Sequence, residues 1–200
     1  MDQKIAKRPG LIEICRHIPE NSRVLDLGCE DGTLLEILRE NYGAKVHGIE
    51  ISQPNINSCI AKGIPVIQAD LNEGLGSFQD NSFDFIILSE TFQMVKNPDF
   101  LLTEMMRVGK TGIINFINIG YWFDRFQLFF GGRMPKNRHL PHEWYNTPNI
   151  HLGTIKDFQN LCGRLNITIT RQQPVFSAVK LLPNLLPNLL AKKCVFLIEK

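Results

Sequence analysis

The feature that most constrains this chain is a short apolar run ending in a glycine-punctuated turn, Val24-Leu25-Asp26-Leu27-Gly28-Cys29-Glu30-Asp31-Gly32. The apolar residues of the run predict a buried parallel strand, and residues 33–40 then place leucine and isoleucine at helical spacing. The turn therefore joins a strand to a helix. Because Gly28 and Gly32 lack a Cβ, a ligand can lie against the main chain where the helix begins.

A second short strand, residues 46–50, ends in Glu50. This acid lies about twenty residues after Gly28, the spacing at which nucleoside-binding α/β folds place a carboxylate on ribose hydroxyls. The turn has the form Gly28-x-x-x-Gly32, so it lacks the G-x-G-x-x-G that fits a pyrophosphate and the G-K-[ST] ending of a phosphate loop. The two features together indicate a nucleoside pocket and disfavour a dinucleotide or ATP.

The glycine turn and the acid after it resemble the first two motifs of class I S-adenosylmethionine-dependent methyltransferases. The resemblance implies that the turn lies along the methionine part of the cofactor and that the acid binds the ribose. Many members of that superfamily have Gly where this chain has Glu30. The residues expected to bind S-adenosylmethionine or S-adenosylhomocysteine are Asp26, Gly28, Cys29, Glu30, Gly32, Glu50, Ile51, Asp70, Leu71 and Ser89.

Two further predicted strands end in polar residues. Residues 64–69 lead to Asp70-Leu71, and the apolar run 83–88 leads to Ser89-Glu90. The methyltransferase resemblance implies an acid near the adenine and an apolar side chain against its ring at Asp70 and Leu71. From the residues alone, Asp70 is equally well explained as a helix cap or turn residue. The sequence after the fourth strand, Ser89-Glu90-Thr91-Phe92, does not match the Asn-Pro-Pro-Tyr type of motif that holds an amine in some methyltransferases, so that chemistry is not expected.

Strand and helix patterns alternate five times along the chain, which predicts an α/β fold with a doubly wound, mostly parallel sheet. Two late strands, 167–170 and 194–198, have no comparable helix between them. This ending resembles the seven-stranded, Rossmann-like methyltransferase sheet, whose last strand runs antiparallel between the fifth and the sixth. A chain of 200 residues predicts a single domain, here with an insertion at about residues 120–153 after the fifth strand.

The insertion is too rich in aromatic, Pro, Gly and His residues to be a plain linker. Its centre reads Gly131-Gly132-Arg133-Met134-Pro135 and is followed by residues 140–151, Leu-Pro-His-Glu-Trp-Tyr-Asn-Thr-Pro-Asn-Ile-His. These segments, with Pro187-Asn188-Leu189-Leu190-Ala191, resemble the MetW family of methionine biosynthesis proteins. The resemblance implies a methyltransferase fold that supports methionine biosynthesis in association with a MetX-type homoserine O-acyltransferase.

The insertion should form the wall or lid of a ligand pocket, because it leaves from the carboxyl end of the fifth strand. The residues expected to contact a substrate or to form a lid are Arg133, Trp144, Tyr145 and Asn149; a loop held together by its own aromatic residues explains them equally well. Candidates for catalysis are His142, His151 and Tyr145, although nothing in the sequence orients them. No metal site is expected, because the histidines have no fixed spacing.

A four-residue repeat in residues 181–190 combines leucine pairs with Pro-Asn, and its prolines prevent a regular helix. Such leucine density suggests a surface that a partner covers, although packing against the protein's own sheet is as good an explanation. Two other functions stay open: a methyltransferase that acts on a small molecule and, with less support from the charge, an RNA methyltransferase.

Composition narrows the class of protein further. A formal net charge of +2 is too small to predict a nucleic-acid partner, and the basic cluster Arg133, Lys136 and Arg138 is explained as a solvated loop. The five scattered cysteines predict reduced thiols without a disulfide or zinc. Neither a signal peptide nor a membrane-spanning run is evident, so we expect a soluble cytoplasmic protein.

Overall fold

The computed structural model describes residues 9–175 and 186–200. Within these residues strands and helices alternate through the first five strands as the periodicity predicts, and two helices in succession then precede the sixth strand. Two short 3-10 helices cover Leu71–Glu73 and Phe92–Met94. The strands are β1 (Arg23–Leu27), β2 (Lys45–Glu50), β3 (Val66–Gln68), β4 (Phe83–Ser89), β5 (Gly109–Ile117), β6 (Thr168–Val175) and β7 (Lys193–Glu199). The helices are α1 (Pro9–Cys15), α2 (Thr33–Tyr42), α3 (Gln53–Ala61), α4 (Pro98–Val108), α5 (Trp122–Gly131), α6 (Ile155–Arg164) and α7 (Pro187–Leu190).

The seven strands form one sheet in the order β3-β2-β1-β4-β5-β7-β6. The first five strands pair in parallel, and β7 pairs antiparallel with both β5 and β6. The predicted seven-stranded methyltransferase sheet is therefore confirmed. The strand order reverses between β1 and β4, and in open α/β sheets this switch point leaves a crevice at the carboxyl ends of the strands.

Apolar side chains cover both faces of the sheet. Neighbouring residues of one strand point to opposite faces, so Ile86 belongs to one core cluster and Ile87 to the other. Both side chains are completely buried. The central strands are thus closed off on their faces, and a ligand reaches them at the carboxyl edge.

Local signals set several helix boundaries. Thr154 and Asp157 form the capping box that opens α6, because each side chain accepts a hydrogen bond from the other residue's backbone N–H. Of the leucine repeat, residues 186–190 are described and include α7, which Pro187 starts at its first position. The remaining part of that predicted surface, residues 181–185, lies outside the described residues.

The insertion is anchored at its base by Asn118, which is fully buried. Its Nδ2 donates to the carbonyl oxygens of Asn188 at 3.0 Å and Ala191 at 2.8 Å. Its Oδ1 accepts from the backbone N–H of Gly120 and of Ile155. One amide side chain therefore joins the start of the insertion, its end at α6 and the turn before β7.

Candidate functional site

Two clefts open at the carboxyl edge of the sheet, where β1 and β4 lie side by side. The larger has a volume of about 560 Å³ and the smaller about 300 Å³. Both clefts are lined by Gly28, Glu30, Ser89 and Glu90. The glycine turn after β1 and the end of β4 therefore lie on the border that the two clefts share, which we call the junction.

Glycine is required in the turn after β1. Gly28 and Gly32 have φ of +76° and +74°, in the left-handed region that side chains with a Cβ rarely adopt. A Cβ on Gly28 would lie 2.6 Å from Thr91 Oγ1, and one on Gly32 would lie 2.9 Å from Cys59 Sγ. Gly28 lines both clefts, whereas Gly32 packs behind the turn against α3 and is not among the cleft-lining residues.

Cys29 lines the smaller cleft but is itself buried, with its Sγ 3.8 Å from Cys59 Sγ. Burial raises the pKa of the Cys29 thiol well above its ordinary value. The thiol therefore stays protonated at neutral pH, so Cys29 is a packing residue of the turn and a poor nucleophile.

Glu50 ends β2 with a carboxylate held by three backbone N–H groups. Its Oε1 accepts from Ile51 and Ser52, and its Oε2 accepts from Glu30, all at 2.9 Å. The side chain is 7 % exposed and lines the larger cleft. The two predicted motifs are thus physically joined, because the acid of the second hydrogen-bonds the turn of the first.

Asp70 has the capping role that was one of its two explanations. Its Oδ1 accepts from the backbone N–H of Asn72 at 2.9 Å and from the Asn72 side chain at 2.7 Å. The residue also lines the larger cleft, together with buried Leu71 and the exposed side chain of Ile51. A capped turn therefore brings one acid and two apolar side chains to the same cleft.

Asp26 lines the smaller cleft from within β1 and is 4 % exposed. Its Oδ1 has no hydrogen-bond partner among the described residues. Burial and then the negative charges of Glu30 and Glu50 raise the pKa of Asp26 to about 7. A cationic ligand group would both satisfy this oxygen and favour the ionised carboxylate.

The end of β4 brings Ser89 and Glu90 to the junction. Glu90 has φ of +62°, and its backbone N–H donates to Asn115 O at 2.7 Å. Lys193 of β7 lines the smaller cleft and donates to Glu90 Oε1 at 2.5 Å. Nothing in the sequence around Lys193 indicates this role, because it lies 103 positions from its partner.

The insertion supplies one wall of the larger cleft through His142, Pro148 and Asn149. His142 and Asn149 also line a third cleft of about 520 Å³ that lies within the insertion, together with Trp144 and Tyr145. The two aromatic side chains are 74 % and 71 % exposed. Of the predicted lid residues, Asn149 therefore lines both clefts, whereas Trp144 and Tyr145 line the third cleft.

Two predicted residues of the insertion lie elsewhere. Arg133 is exposed and does not line any of the three clefts. His151 donates its backbone N–H to Gln93 O at 3.0 Å, and its ring Nε2 lies 3.2 Å from Lys96 O. His151 thus helps to hold the end of the insertion against the segment after β4.

Helix α5 of the insertion buries a charged side chain and exposes aromatic ones, the reverse of the usual arrangement. Its buried residue is Asp124, which accepts from Asn137 Nδ2 at 2.7 Å and lies 2.8 Å from Nε2 of His139. The opposite face exposes aromatic rings at helical spacing, and the exposed fractions reach 82 % at Phe129 and 71 % at Phe130. This outer face consists of Trp122, Phe123, Phe126, Phe129 and Phe130. The sequence indicates the aromatic content, but the direction that the rings face emerges only from the structure.

The described residues give no indication of a metal centre or a membrane span. Across residues 9–175 and 186–200 there is no cluster of three or more His, Cys, Asp or Glu side chains that could hold a metal ion. All five cysteines are buried free thiols. In the same residues no helix has both the length and the apolar character needed to cross a membrane.

Comparison with known proteins identifies relatives of this chain. A family model described as "Methionine biosynthesis protein MetW" matches residues 8–198. The bifunctional methionine biosynthesis protein MetXA/MetW of Rhodopirellula baltica is 40% identical over 164 residues, which are 78% of this chain and 26% of that protein. The 2-methyl-6-phytyl-1,4-hydroquinone methyltransferase of Synechocystis is 31% identical over 98 residues, which are 48% of this chain and 31% of that protein. The chain thus spans less than a third of the length of either relative.

Solved structures share the fold. An S-adenosylmethionine-dependent methyltransferase from Mesorhizobium loti matches with a TM-score of 0.70 and 18% identity, over 98% of both chains. A SAM-dependent methyltransferase from Archaeoglobus fulgidus matches with a TM-score of 0.65 and 18% identity, over 100% of this chain and 95% of that one. At this identity the likeness establishes the fold, and any chemistry has to be inferred from the residues of the site.

Proposed function

This chain belongs to the MetW family of methionine biosynthesis proteins, and from that premise we propose that it binds S-adenosylmethionine and acts in methionine biosynthesis with a MetX-type homoserine O-acyltransferase. The observation that carries the first part is that Asp26, Gly28, Glu50 and Asp70 line two adjoining clefts at one sheet edge. S-adenosylhomocysteine fits the same description. Both ligands combine a nucleoside with an amino acid.

The residues present match the chemical groups of such a ligand. The Glu50 carboxylate has lone pairs that its three backbone donors do not use, and these can accept hydrogen bonds from ribose hydroxyls. Leu71 and Ile51 offer apolar surface to an adenine ring. Asp26 offers an unpartnered buried oxygen to an ammonium group. When bound, S-adenosylmethionine supplies a sulfonium with a transferable methyl group.

We propose Ser89, Glu30 and Cys29 as further contacts because each lines the smaller cleft.

The partner is proposed from a different observation. In the Rhodopirellula relative the name MetXA/MetW describes one bifunctional chain, of which this protein matches about a quarter. Fusion of two units in one chain raises the effective concentration of each for the other, which is compatible with two units that contact each other when they act. The outer face of α5 supports a protein contact here, because five neighbouring aromatic rings are exposed where a monomer normally buries them.

A second candidate function is a methyltransferase that acts on a small molecule. The observation that favours it is the third cleft, which shares His142 and Asn149 with the larger cleft and could hold an acceptor. A catalytic base is normally oriented by a third group, and among the described histidines of the insertion it is the rings of His139 and His151 that have hydrogen-bond partners. Tyr145 is mostly exposed, and His151 holds the insertion, so the accessory role is the better supported of the two.

One experiment tests both parts of the proposal. Purified protein is titrated with S-adenosylmethionine by calorimetry, and acyltransferase activity is assayed with and without the protein. We expect saturable binding and higher acyltransferase activity in the mixture. Absence of heat and of a thermal shift would refute the cofactor proposal. Methylation of a small acceptor at about one turnover per second or faster, without an effect on the acyltransferase, would favour the second candidate.

A further inference from the structure

The junction between the two clefts is acidic on both sides. Of its four residues, Glu30 and Glu90 carry carboxylates, and they reach it from different strands, after β1 and after β4. Both have left-handed backbone conformations, with φ of +49° and +62°. Side chains with a Cβ adopt this region at an energetic cost, and such residues concentrate at functional sites. A ligand at the junction therefore lies beside two carboxylates, of which that of Glu90 is paired with the Lys193 ammonium group.

The two clefts differ in the chemistry that they offer at their far ends. The larger presents Glu50, Asp70 and Leu71, which suit a nucleoside. The smaller presents Asp26, whose buried Oδ1 lacks a partner among the described residues, and the ammonium group of Lys193. Four acids, Asp26, Glu30, Asp31 and Glu90, and one base, Lys193, line this cleft. Among them, buried Asp26 and Lys193 match the ammonium and carboxylate of an α-amino acid. Each end of the site thus selects a different end of the ligand.

In S-adenosylmethionine the sulfur joins the ribose to the amino-acid chain. With the nucleoside in the larger cleft and the amino acid in the smaller, the linking atom would lie at the junction that the two clefts share. We propose that Glu30 and Glu90 face the sulfonium, so that the site prefers cationic S-adenosylmethionine over the neutral thioether of S-adenosylhomocysteine. This inference rests on the proposed function and adds a specificity that the fold alone does not imply.

The charges at the site agree with this assignment. The pKa of Asp26 is raised by burial and, in part, by the charges of Glu30 and Glu50, so negative potential extends through the smaller cleft. Lys193 is paired with Glu90 at 2.5 Å, and a ligand carboxylate would compete for the same ammonium group. A carboxylate a few ångströms from a sulfonium at a partly solvated site favours the cation by about tenfold.

This specificity bears on whether the protein is an enzyme or a sensor. Carboxylates beside a sulfonium stabilise the bound reactant more than a transition state in which that charge is dispersed. The arrangement therefore favours retention of the methylated ligand over its turnover. A protein of methionine biosynthesis with this preference would report the level of S-adenosylmethionine without interference from S-adenosylhomocysteine.

The test measures binding of the two ligands separately by calorimetry. The variants are Glu30→Gln, Glu90→Gln and the double variant, which remove charge at nearly constant shape. The control is Glu40→Gln on α2, whose side chain is 62% exposed and which lines neither cleft. We expect the wild type and the control to prefer S-adenosylmethionine by about tenfold, and the double variant to bind both ligands within about twofold because it loses affinity for the cation alone.

Three outcomes contradict the inference. Equal affinity of the wild type for the two ligands overturns it and leaves the proposed function standing. The inference is also overturned if the double variant loses affinity for both ligands to the same extent while it still unfolds at the wild-type temperature. The glutamates would then act on a group that both ligands share. If neither ligand binds the wild type, the proposed function fails and this inference fails with it.

Discussion

Glu50 Oε2 accepts a hydrogen bond from the backbone N–H of Glu30 at 2.9 Å, which joins the end of β2 to the glycine turn after β1. The same carboxylate accepts from Ile51 and Ser52. An acid that a sequence motif assigns to ribose thus also stabilises the turn beside it. Substitutions at this position are therefore expected to change both ligand affinity and stability.

We predict that Glu50→Ala weakens S-adenosylmethionine binding by about 1 to 3 kcal/mol, because ribose hydroxyls lose a charged acceptor. The variant should also unfold at a lower temperature, since three backbone N–H groups lose their partner. Glu50→Gln keeps one oxygen acceptor and should lose less on both counts. Calorimetry and thermal unfolding measure the two effects. Unchanged affinity in a folded Glu50→Ala protein would remove Glu50 from the site.

The glycine turn provides a second test, with a matched control. Gly28→Ala should destabilise the protein by about 1 to 2 kcal/mol or more, because φ is +76° and the new Cβ would lie 2.6 Å from Thr91 Oγ1. It should also impair ligand binding, since Gly28 lines both clefts. In the control Gly131→Ala, the added Cβ meets no atom within 4 Å, and stability should stay the same or rise. Equal stability of the two variants in denaturant unfolding would contradict this explanation of the turn.

The raised pKa of Asp26 predicts a dependence of stability on pH. Burial raises this pKa from its ordinary value of 3.8 to about 7 in the folded protein, so between these values the folded state binds more protons than the unfolded state. The contribution of Asp26 to the free energy of unfolding should therefore fall as the pH rises through this window. The Asp26→Asn variant should lack this component. Denaturant unfolding of both proteins at several pH values measures the difference, and identical profiles would contradict it.

The same carboxyl predicts proton release on ligand binding. A cationic group beside Asp26 favours the ionised form and lowers its pKa, so binding near pH 6.5 should release up to about one proton. Affinity should consequently rise as the pH increases from about 5.5 to 7.5. Calorimetric titrations in two buffers with different ionisation enthalpies detect the release. Its persistence in Asp26→Asn would assign the proton to another group.

The outer face of α5 predicts a contact with the acyltransferase. Phe129→Ser should reduce co-purification of the two proteins and lower the stimulation of acyltransferase activity, since an 82 % exposed ring contributes little to the folded monomer. Trp144→Ala should have a similar effect if the partner extends over the third cleft. Neither change should alter the affinity for S-adenosylmethionine, because neither residue lines the larger or the smaller cleft.

The control for this surface is Ile60→Ser on α3, which removes another exposed apolar side chain, 62 % exposed, outside the insertion. It should leave the association unchanged. Loss of association in this control to the same extent would indicate a nonspecific hydrophobic effect. Self-association of the wild type that Phe129→Ser abolishes, with no acyltransferase bound, would assign the face to a second copy of this chain.

Much of the fold was predictable because its signals are local. Periodicity located the parallel strands, and the capping box of Thr154 and Asp157 that opens α6 is likewise a pattern within four residues. The candidate cofactor residues were also predicted from local patterns, since the ends of parallel strands meet at one edge of the sheet. Asp70 illustrates the limit, because the same local pattern allowed a cap and a ligand contact, and the residue caps the turn while also lining the cleft.

The sequence by itself determined the order of the first five strands and the helices between them and the need for glycine at Gly28, because backbone sterics and short-range patterns act within a few residues. Only the tertiary structure decided that Lys193 meets Glu90 across the sheet. It also decided that His142 lines the cleft while His151 holds the insertion. The polarity of α5 belongs to this second group, because burial of Asp124 depends on Asn137 and His139 folding back over it. These relationships depend on contacts between distant segments, which exist only after the whole sheet has assembled.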